Sequence, residues 1–366
     1  MRLSSTLSIY VGRYFIVAFA GLLALFLLLV LLFDTVELLR RAASKPGVDF
    51  AMVVEMALLK LPHMSQEIFP FAVLFAGMAC FWRLTRSNEL VVTRGAGVSV
   101  WQFLLSPVLI AALLGVLQIT TINHVASNTL SRFEQLEAVR FKGSQSLLTL
   151  SGSSIWLRQA NSKGQSVIHA KGVVQAGSDI ELNDVVIFMY AGTDVFRARI
   201  DGKSAKLEDG FWRIRDAWIY EPEKPPVSEQ TYWLDTDLTL DKIQDSFAPP
   251  ETMSFWNLPG FIETLETAGF SALRHRLHWH SLLAAPLLMV AMVLIAATFT
   301  LRHSRRGATS FVIGGGVMTG FALYFFSDVV FALGLSDSIP VTLAAWSPSG
   351  VAMLLGLATL LHLEDG

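Results

Sequence analysis

The stretch RSNELVVTRGAGVS, residues 86–99, sets charge and polarity between two long apolar runs. It has the parts of a short, self-capped helix. Ser87 can serve as N-cap, and Glu89 sits in the first turn, where the helix dipole favours an anion. Arg94 sits in the last turn, where it favours a cation, and Gly95 and Gly97 permit a left-handed exit. A body of about eight residues is only about 12 Å long and is marginal alone. It is therefore either a docking element held by a partner or a plain interfacial loop helix. A second group, Lys60, His63 and Glu67, shares one helical face within an otherwise apolar run. Ionisable groups in that setting line a cavity or close on one another as ion pairs. Asp328, an acid in another apolar run, reads as a lining or gating residue. Arg40 and Arg41 follow the first apolar run, and Arg274 and Arg276 stand in RHRLHWHS, residues 274–281. A guanidinium suits phosphate because its planar fork donates twice, with simple headgroup anchoring as the alternative.

Other chemistry is excluded or disfavoured. His275, His278 and His280 follow a His-x-x-His-x-His spacing that does not put all three on one helical face, and no clear acid accompanies them, so no metal site is expected. Cys80 is the one cysteine, which rules out an intrachain disulfide and reads as a buried small hydrophobe. The chain has no His-Glu-x-x-His and no Gly-x-Ser-x-Gly, which argues against an intramembrane hydrolase. It has no Gly-x-x-x-x-Gly-Lys-[Ser/Thr] loop for ATP phosphates. GGGVMTG (314–320) lacks the lysine and reads as close helix packing.

These groups are positioned by membrane helices. The 366 residues are 53% hydrophobic and 16% charged, against about 25% charged in an ordinary soluble domain. Charge is nearly absent from long stretches towards both ends and normal in the middle. The net charge of −2 gives no reason to expect a nucleic acid partner. Six spans are expected, at about Tyr14–Phe33, Val54–Trp82, Val100–Asn123, Leu277–Thr300, Phe311–Leu333 and Pro340–Leu361. The first is read as a retained helix, since no small-x-small cleavage pattern closes it. With both termini in the cytoplasm, the inner loops carry eight cations: Arg2, Arg13, Arg83, Arg86, Arg94, Arg302, Arg305 and Arg306. The outer short loops carry three: Arg40, Arg41 and Lys45. That asymmetry favours this orientation and puts the polar middle region outside.

The middle region reads as β-rich. Strand-like runs are Ser153–Gln159, Val167–Ala170, Asp184–Tyr190, Val195–Ile200, Ala205–Leu207, Phe211–Tyr220 and Thr231–Leu234. Turns are read at Asn161–Gly164, Asp201-Gly202 and Asp209-Gly210. In Phe211–Tyr220 the alternation places Trp212, Ile214, Trp218 and Tyr220 on one face, and Trp212, Ile214 and Trp218 are read as core in preference to an open groove. Such strand spacing suggests a sandwich or jelly roll. Residues Ile243–Pro259 read as a return linker and Phe261–Leu273 as a short helix.

The motif also carries a resemblance. RSNELVVTRGAGVS resembles the Ser-Glu-Leu-Val-Val-x-[Arg/Gln]-Ala-x-Gly-x-Ser motif of the LptF/LptG lipopolysaccharide export permease family. LSIYVGRYF is similar to that family's Leu-x-x-Tyr-x-x-[Arg/Lys] opening, and IFPFAVLFAGMACFWRL to its Phe-Pro-x-Ala-x-Leu-x-Gly second helix. The closing residues, from GLSDSIPVTL onwards, look more like the G-type than the F-type branch. The resemblance implies an α-helical membrane protein with a 3+3 arrangement of six transmembrane helices and an inserted periplasmic all-β domain, a β-jelly roll. It implies transmembrane helices 1–3 over residues 1–124 with a coupling helix at about 85–97, the β domain and return linker over 125–276, and helices 4–6 over 277–366. The chain would be a multi-pass bacterial inner-membrane permease subunit with no enzymatic activity. It would bind no cofactor, and ATP and Mg²⁺ would be used by a separate cytosolic ATPase dimer (LptB-type). Further partners implied are a paralogous permease (LptF-type), a single-span jelly-roll protein (LptC-type), a soluble bridge protein (LptA-type) and lipopolysaccharide itself.

By the same resemblance, Glu89 would pair with a base of the ATPase, and Leu90 and Val91 would fill its apolar groove, with Arg94 a weaker contact. Arg40 and Arg41 match the basic residues near the outer end of the first helix. Asp34 departs from that pattern, being an acid where the family can carry a base. The competing reading is a membrane scaffold that couples an ATPase to periplasmic partners without transporting anything.

Overall fold

The computed structural model describes residues 5–43, 48–95, 97–141, 155–161, 164–176, 179–191, 195–208, 210–236, 249–267, 271–300 and 309–365. Lys45, Arg2, Arg302, Arg305, Arg306, Asp209 and the middle of the turn read at 161–164 lie outside them. Helix α1 runs Ser5–Ala42, α2 Phe50–Arg86, α3 Glu89–Gly95 and α4 Val100–Leu117. A π-turn over Gln118–Ile122 leads directly into α5, Asn123–Arg140. Six strands follow: β1 Ile155–Asn161, β2 Gly164–Ala176, β3 Asp179–Ala191, β4 Val195–Glu208, β5 Phe211–Tyr220 and β6 Val227–Asp235. The chain returns through a 3-10 turn at Pro250–Thr252, then α6 Leu258–Thr267, α7 Leu273–Thr300, α8 Thr309–Leu335 and α9 Val341–Asp365.

Among the described residues, six helices are long and apolar enough to cross a membrane, three before the sheet and three after it. The first is 38 residues, or about 57 Å, well beyond the roughly 30 Å of a hydrocarbon layer. The third does not stop at Asn123; it continues to Arg140 through the π-turn, so residues 123–140 are helix rather than β domain. Local chemistry sets the starts. Asp49 caps α2 by accepting from the Met52 amide at 3.0 Å, and Ser99 and Gln102 form a reciprocal capping box on α4. The membrane core draws Phe15, Leu74, Phe81, Leu104 and Met289 from α1, α2, α4 and α7. At Gly115 an added Cβ would stand 2.5 Å from the Cα of Pro286, so only glycine lets α4 and α7 approach this closely.

The β domain is one antiparallel meander in the order β1-β2-β3-β4-β5-β6. Its pairing lapses along one line. Ala170↔Val185 and Gly172↔Asn183 flank Lys171 and Asp184; Val185↔Gly202 and Asn183↔Ser204 flank Asp184 and Lys203. The ladder from β4 to β5 lapses beside Asp216, and that from β5 to β6 between Asp216 and Gln230. Asp184 and Asp216 adopt left-handed φ of 50° and 52°. At each, two successive residues face outward, Asn183-Asp184 between buried Leu182 and Val185, and Arg215-Asp216 between buried Ile214 and Ala217. The pleat therefore slips by one across this crease, and the same face stays inward on both sides of it. A flat single layer would leave both faces open, yet Trp212, Ile214, Ile187 and Ile200 are completely buried. An added Cβ on Gly202 would meet Ile214 at 2.4 Å.

The crease corrects two readings. Asp201-Gly202 is not a turn: it lies inside β4, which joins the two runs expected as Val195–Ile200 and Ala205–Leu207. Trp218 and Tyr220 do not share a face with Trp212; they are exposed, because left-handed Asp216 reverses the alternation between them, and Ala217 takes the inner place.

Candidate functional site

Helices α1, α2 and α8 together wall an apolar trough. Towards the C-terminal end of α1 it holds about 540 Å³ and is walled by Phe26 and Phe33 of α1, Phe71 and Phe75 of α2, and Phe321 and Tyr324 of α8. A second hollow of about 390 Å³ shares Phe26 and Phe75 and continues towards Trp82 and Thr300. Both α1 and α8 pack on α2, and the walls are almost wholly hydrocarbon and aromatic. Phe33 and Phe321 remain more than 60% exposed, so the trough is open on one side and α1 and α8 leave large apolar faces uncovered. A trough of this composition takes acyl chains or the side chains of another membrane helix.

Ionisable groups gather at the end nearer the C-terminus of α1. Asp34, next to Phe33, receives Lys60 Nζ at 2.6 Å, and Lys60 also lies 5.8 Å from the Phe133 ring centroid. His63 Nε2 lies 3.8 Å from Glu67. Asp328 lies one turn from Tyr324, close to its hydroxyl. The expected grouping of Lys60, His63 and Glu67 thus divides. Lys60 is drawn to α1 by an acid that sequence spacing could not place beside it, while His63 and Glu67 pair along α2. The arginines expected at a lipid headgroup all reach the surface. Arg40 donates to both carboxylate oxygens of Glu37 at 2.9 Å, and Arg41 donates to Glu37 at 2.9 Å and Glu137 at 3.4 Å. Arg276 pairs with Glu266 at 2.9 Å, and Arg274 is exposed. Exposed pairs of this kind hold weakly and exchange readily for another anion. Among the described residues no group of three or more His, Cys, Asp or Glu could hold a metal ion.

At the opposite end lies α3. Ser87 does not cap it: the Ser87 hydroxyl donates to the carbonyls of Arg83 and Leu84, closing α2. Asn88, at φ 60°, makes the reversal, and its carbonyl accepts the first bond of α3 from Val92. Glu89 lies near the Tyr10 hydroxyl. Tyr10 meets Tyr14 edge-on at 4.8 Å, and Arg83 donates to Tyr14 at 3.1 Å while lying over its ring. Leu90, expected to face outward, is buried in the membrane core, and Val92 is the exposed apolar residue, 72% accessible. One face of this helix is thus tied to α1 and α2 and the other is open. The side chains of Val91 and Arg94 lie outside the described residues. Gly95 ends the helix and Gly97, at φ 84°, turns the chain towards α4.

The sequence model of the family described as lipopolysaccharide export system permease LptF/LptG matches residues 9–362. The lipopolysaccharide export system permease protein LptG of Escherichia coli (strain K12) is 25% identical over 312 residues, covering 83% of this chain and 84% of that protein. The LptG protein of Haemophilus influenzae is 22% identical over 350 residues, covering 94% and 95%.

Proposed function

The chain belongs to the lipopolysaccharide export permease LptF/LptG family, and from that premise we propose that it is one half of an ATP-driven exporter that lifts lipopolysaccharide out of the inner membrane. The open apolar trough between α1 and α8 carries this reading. It receives acyl chains, and a paralogous permease closes its open side, since one set of six spans builds half a cavity. The headgroup stands at the outer end, where Arg40, Arg41, Arg274 and Arg276 trade their surface carboxylates for phosphate. Lys60, His63, Glu67 and Asp328 line the way between chains and headgroup.

The fuel is hydrolysed elsewhere. A cytosolic ATPase dimer, using ATP and Mg²⁺, docks on the open face of α3, with Val92 in an apolar groove and Glu89 exchanging Tyr10 for a basic group. Its stroke tilts α3, and the closing trough expels the lipid. One 12-carbon chain represents about 10 kcal/mol of burial, so the lipid must pass from one apolar surface to another. The creased sheet, placed in the periplasm, supplies the next one, followed by a single-span and a soluble protein of similar architecture.

A photoreactive residue in place of Phe321, in the complex purified with its partners, tests the reading. Lipopolysaccharide should crosslink there in the resting state, and ATP hydrolysis should deplete the adduct severalfold. A complex with normal ATP turnover and no adduct would favour a scaffold that couples without transporting.

A further inference from the structure

Two helix irregularities face one another where the strap returning from the β domain meets the membrane helices. Pro70 has no N–H, so the carbonyl four residues before it, that of Gln66, has no donor within α2. Gln118 Nε2 fills the vacancy at 3.2 Å from across the interface. Gln118 opens the π-turn, in which the amide of Asn123 bonds back five residues to the Gln118 carbonyl instead of four. Asn123 then bridges two elements. Its Nδ2 donates to Gln66 Oε1 at 3.2 Å, and its Oδ1 accepts from the backbone amide of Phe255 at 2.7 Å. The amide orientation is fixed by this pairing, because a backbone N–H can only donate. Next to it, Trp256 Nε1 donates to the carbonyl of Thr120 inside the π-turn at 3.3 Å. Phe255 stacks on Trp279 of α7, with planes 13° apart. Asn123 is 2% exposed and Gln118 5%; both polar ends of the Asn123 amide are taken up here, while Gln118 Oε1 has no hydrogen-bond partner.

A proline inside a helix and a π-turn are two of the places where a helix bends at low cost. Here they are in register, joined by hydrogen bonds, and the strap is hooked onto the same residues. We propose that this interlock is the joint through which bending of α2 and of the α4–α5 helix moves the strap below the β sheet, with Asn123 as its positioning residue. The proposal rests on the export reading: what the joint times is transfer of lipid from the trough to the sheet. A static weld would hold the two helices together but would not set the ratio of transfer to fuel used.

The ratio is therefore the measurement. In the full complex, ATP hydrolysed per lipopolysaccharide crosslinked to a probe on the sheet is compared for the wild type, Asn123→Ala, and the swap Asn123→Gln with Gln66→Asn, which keeps an amide pair of the same combined length. Asn123→Ala should raise the ratio about tenfold, and the swap should restore most of it. A ratio equal to wild type in Asn123→Ala overturns the joint. A fall in ATP turnover and lipid transfer together, with lowered melting temperature, assigns a weld and overturns it too. Should Asn123→Ala not assemble, Trp256→Phe removes a single N–H from an exposed ring. A severalfold rise in the ratio supports the joint, and an unchanged ratio overturns it. A wild-type complex that delivers no lipid to the sheet defeats the export reading itself.

Discussion

Lys60 shows how much one side chain's partner matters. It lies on the same helical face as Glu67, yet Asp34 of α1 holds it at 2.6 Å, and both partners are mostly buried. A charge with one partner in such a place is costly to leave alone. Lys60→Met strands the Asp34 carboxylate, one oxygen of which already has no hydrogen-bond partner. It should destabilise the detergent-solubilised chain by about 1–3 kcal/mol, read as a lowered melting temperature. The exchange Asp34→Lys with Lys60→Asp should recover most of the loss. A Lys60→Met variant that melts with the wild type would show that the pair contributes nothing. Asp34 was visible in the sequence only as a departure from the family pattern. That departure has a physical counterpart here, because a base is supplied to the same place from α2.

At the scale of elements, the helices were legible and the crease was not. Long apolar runs announce spans by length alone, and the structure keeps all six in place, lengthening the first, second and fifth at both ends, the third and sixth at their C-terminal ends and the fourth at its N-terminal end. The strands were read from period-2 alternation, which presumes an unbroken pleat. At Asp184 and Asp216 the pleat slips, so Asp201-Gly202 looked like a turn and Trp218 looked like core. No local pattern distinguishes an Asp-Gly pair that reverses the chain from Asp201-Gly202, where glycine is needed for space against Ile214 rather than for a turn. The interlock was equally hidden. Gln66, Gln118 and Asn123 are polar residues near the ends of apolar runs, where polar residues are ordinary, and the one signal was Pro70 four positions after Gln66. The crease makes its own prediction. Asp tolerates left-handed φ better than β-branched residues, and glycine better still. Asp184→Val and Asp216→Val should each destabilise the β domain by about 1–2 kcal/mol, whereas the glycine variants should stay near wild type, as followed by hydrogen exchange of β3 and β5. Equal protection in the valine and glycine variants would mean that the left-handed turns do not hold the fold line.

For the molecule as a whole, the count of crossings constrains the sides. Three spans precede the sheet and three follow it, so the sheet and the end of α9 must lie on opposite faces of the bilayer if each helix crosses once. On the proposed reading the cations around α3 face the cytoplasm, and the sheet lies outside. Transmission from an ATPase below to a lipid-accepting sheet above needs that separation, and without it the stroke would have no membrane to cross. Cysteine labelling reads it directly, because the single native thiol, Cys80, is buried in the helix core and gives little background. Ser228 on edge strand β6 and His362 near the end of α9 are both exposed. A membrane-impermeant maleimide added to spheroplasts should label Ser228→Cys at once and His362→Cys only after permeabilisation. Labelling of both from the same side would put the sheet and the chain end together, and neither the docking face proposed on α3 nor the outward path for lipid would survive that result.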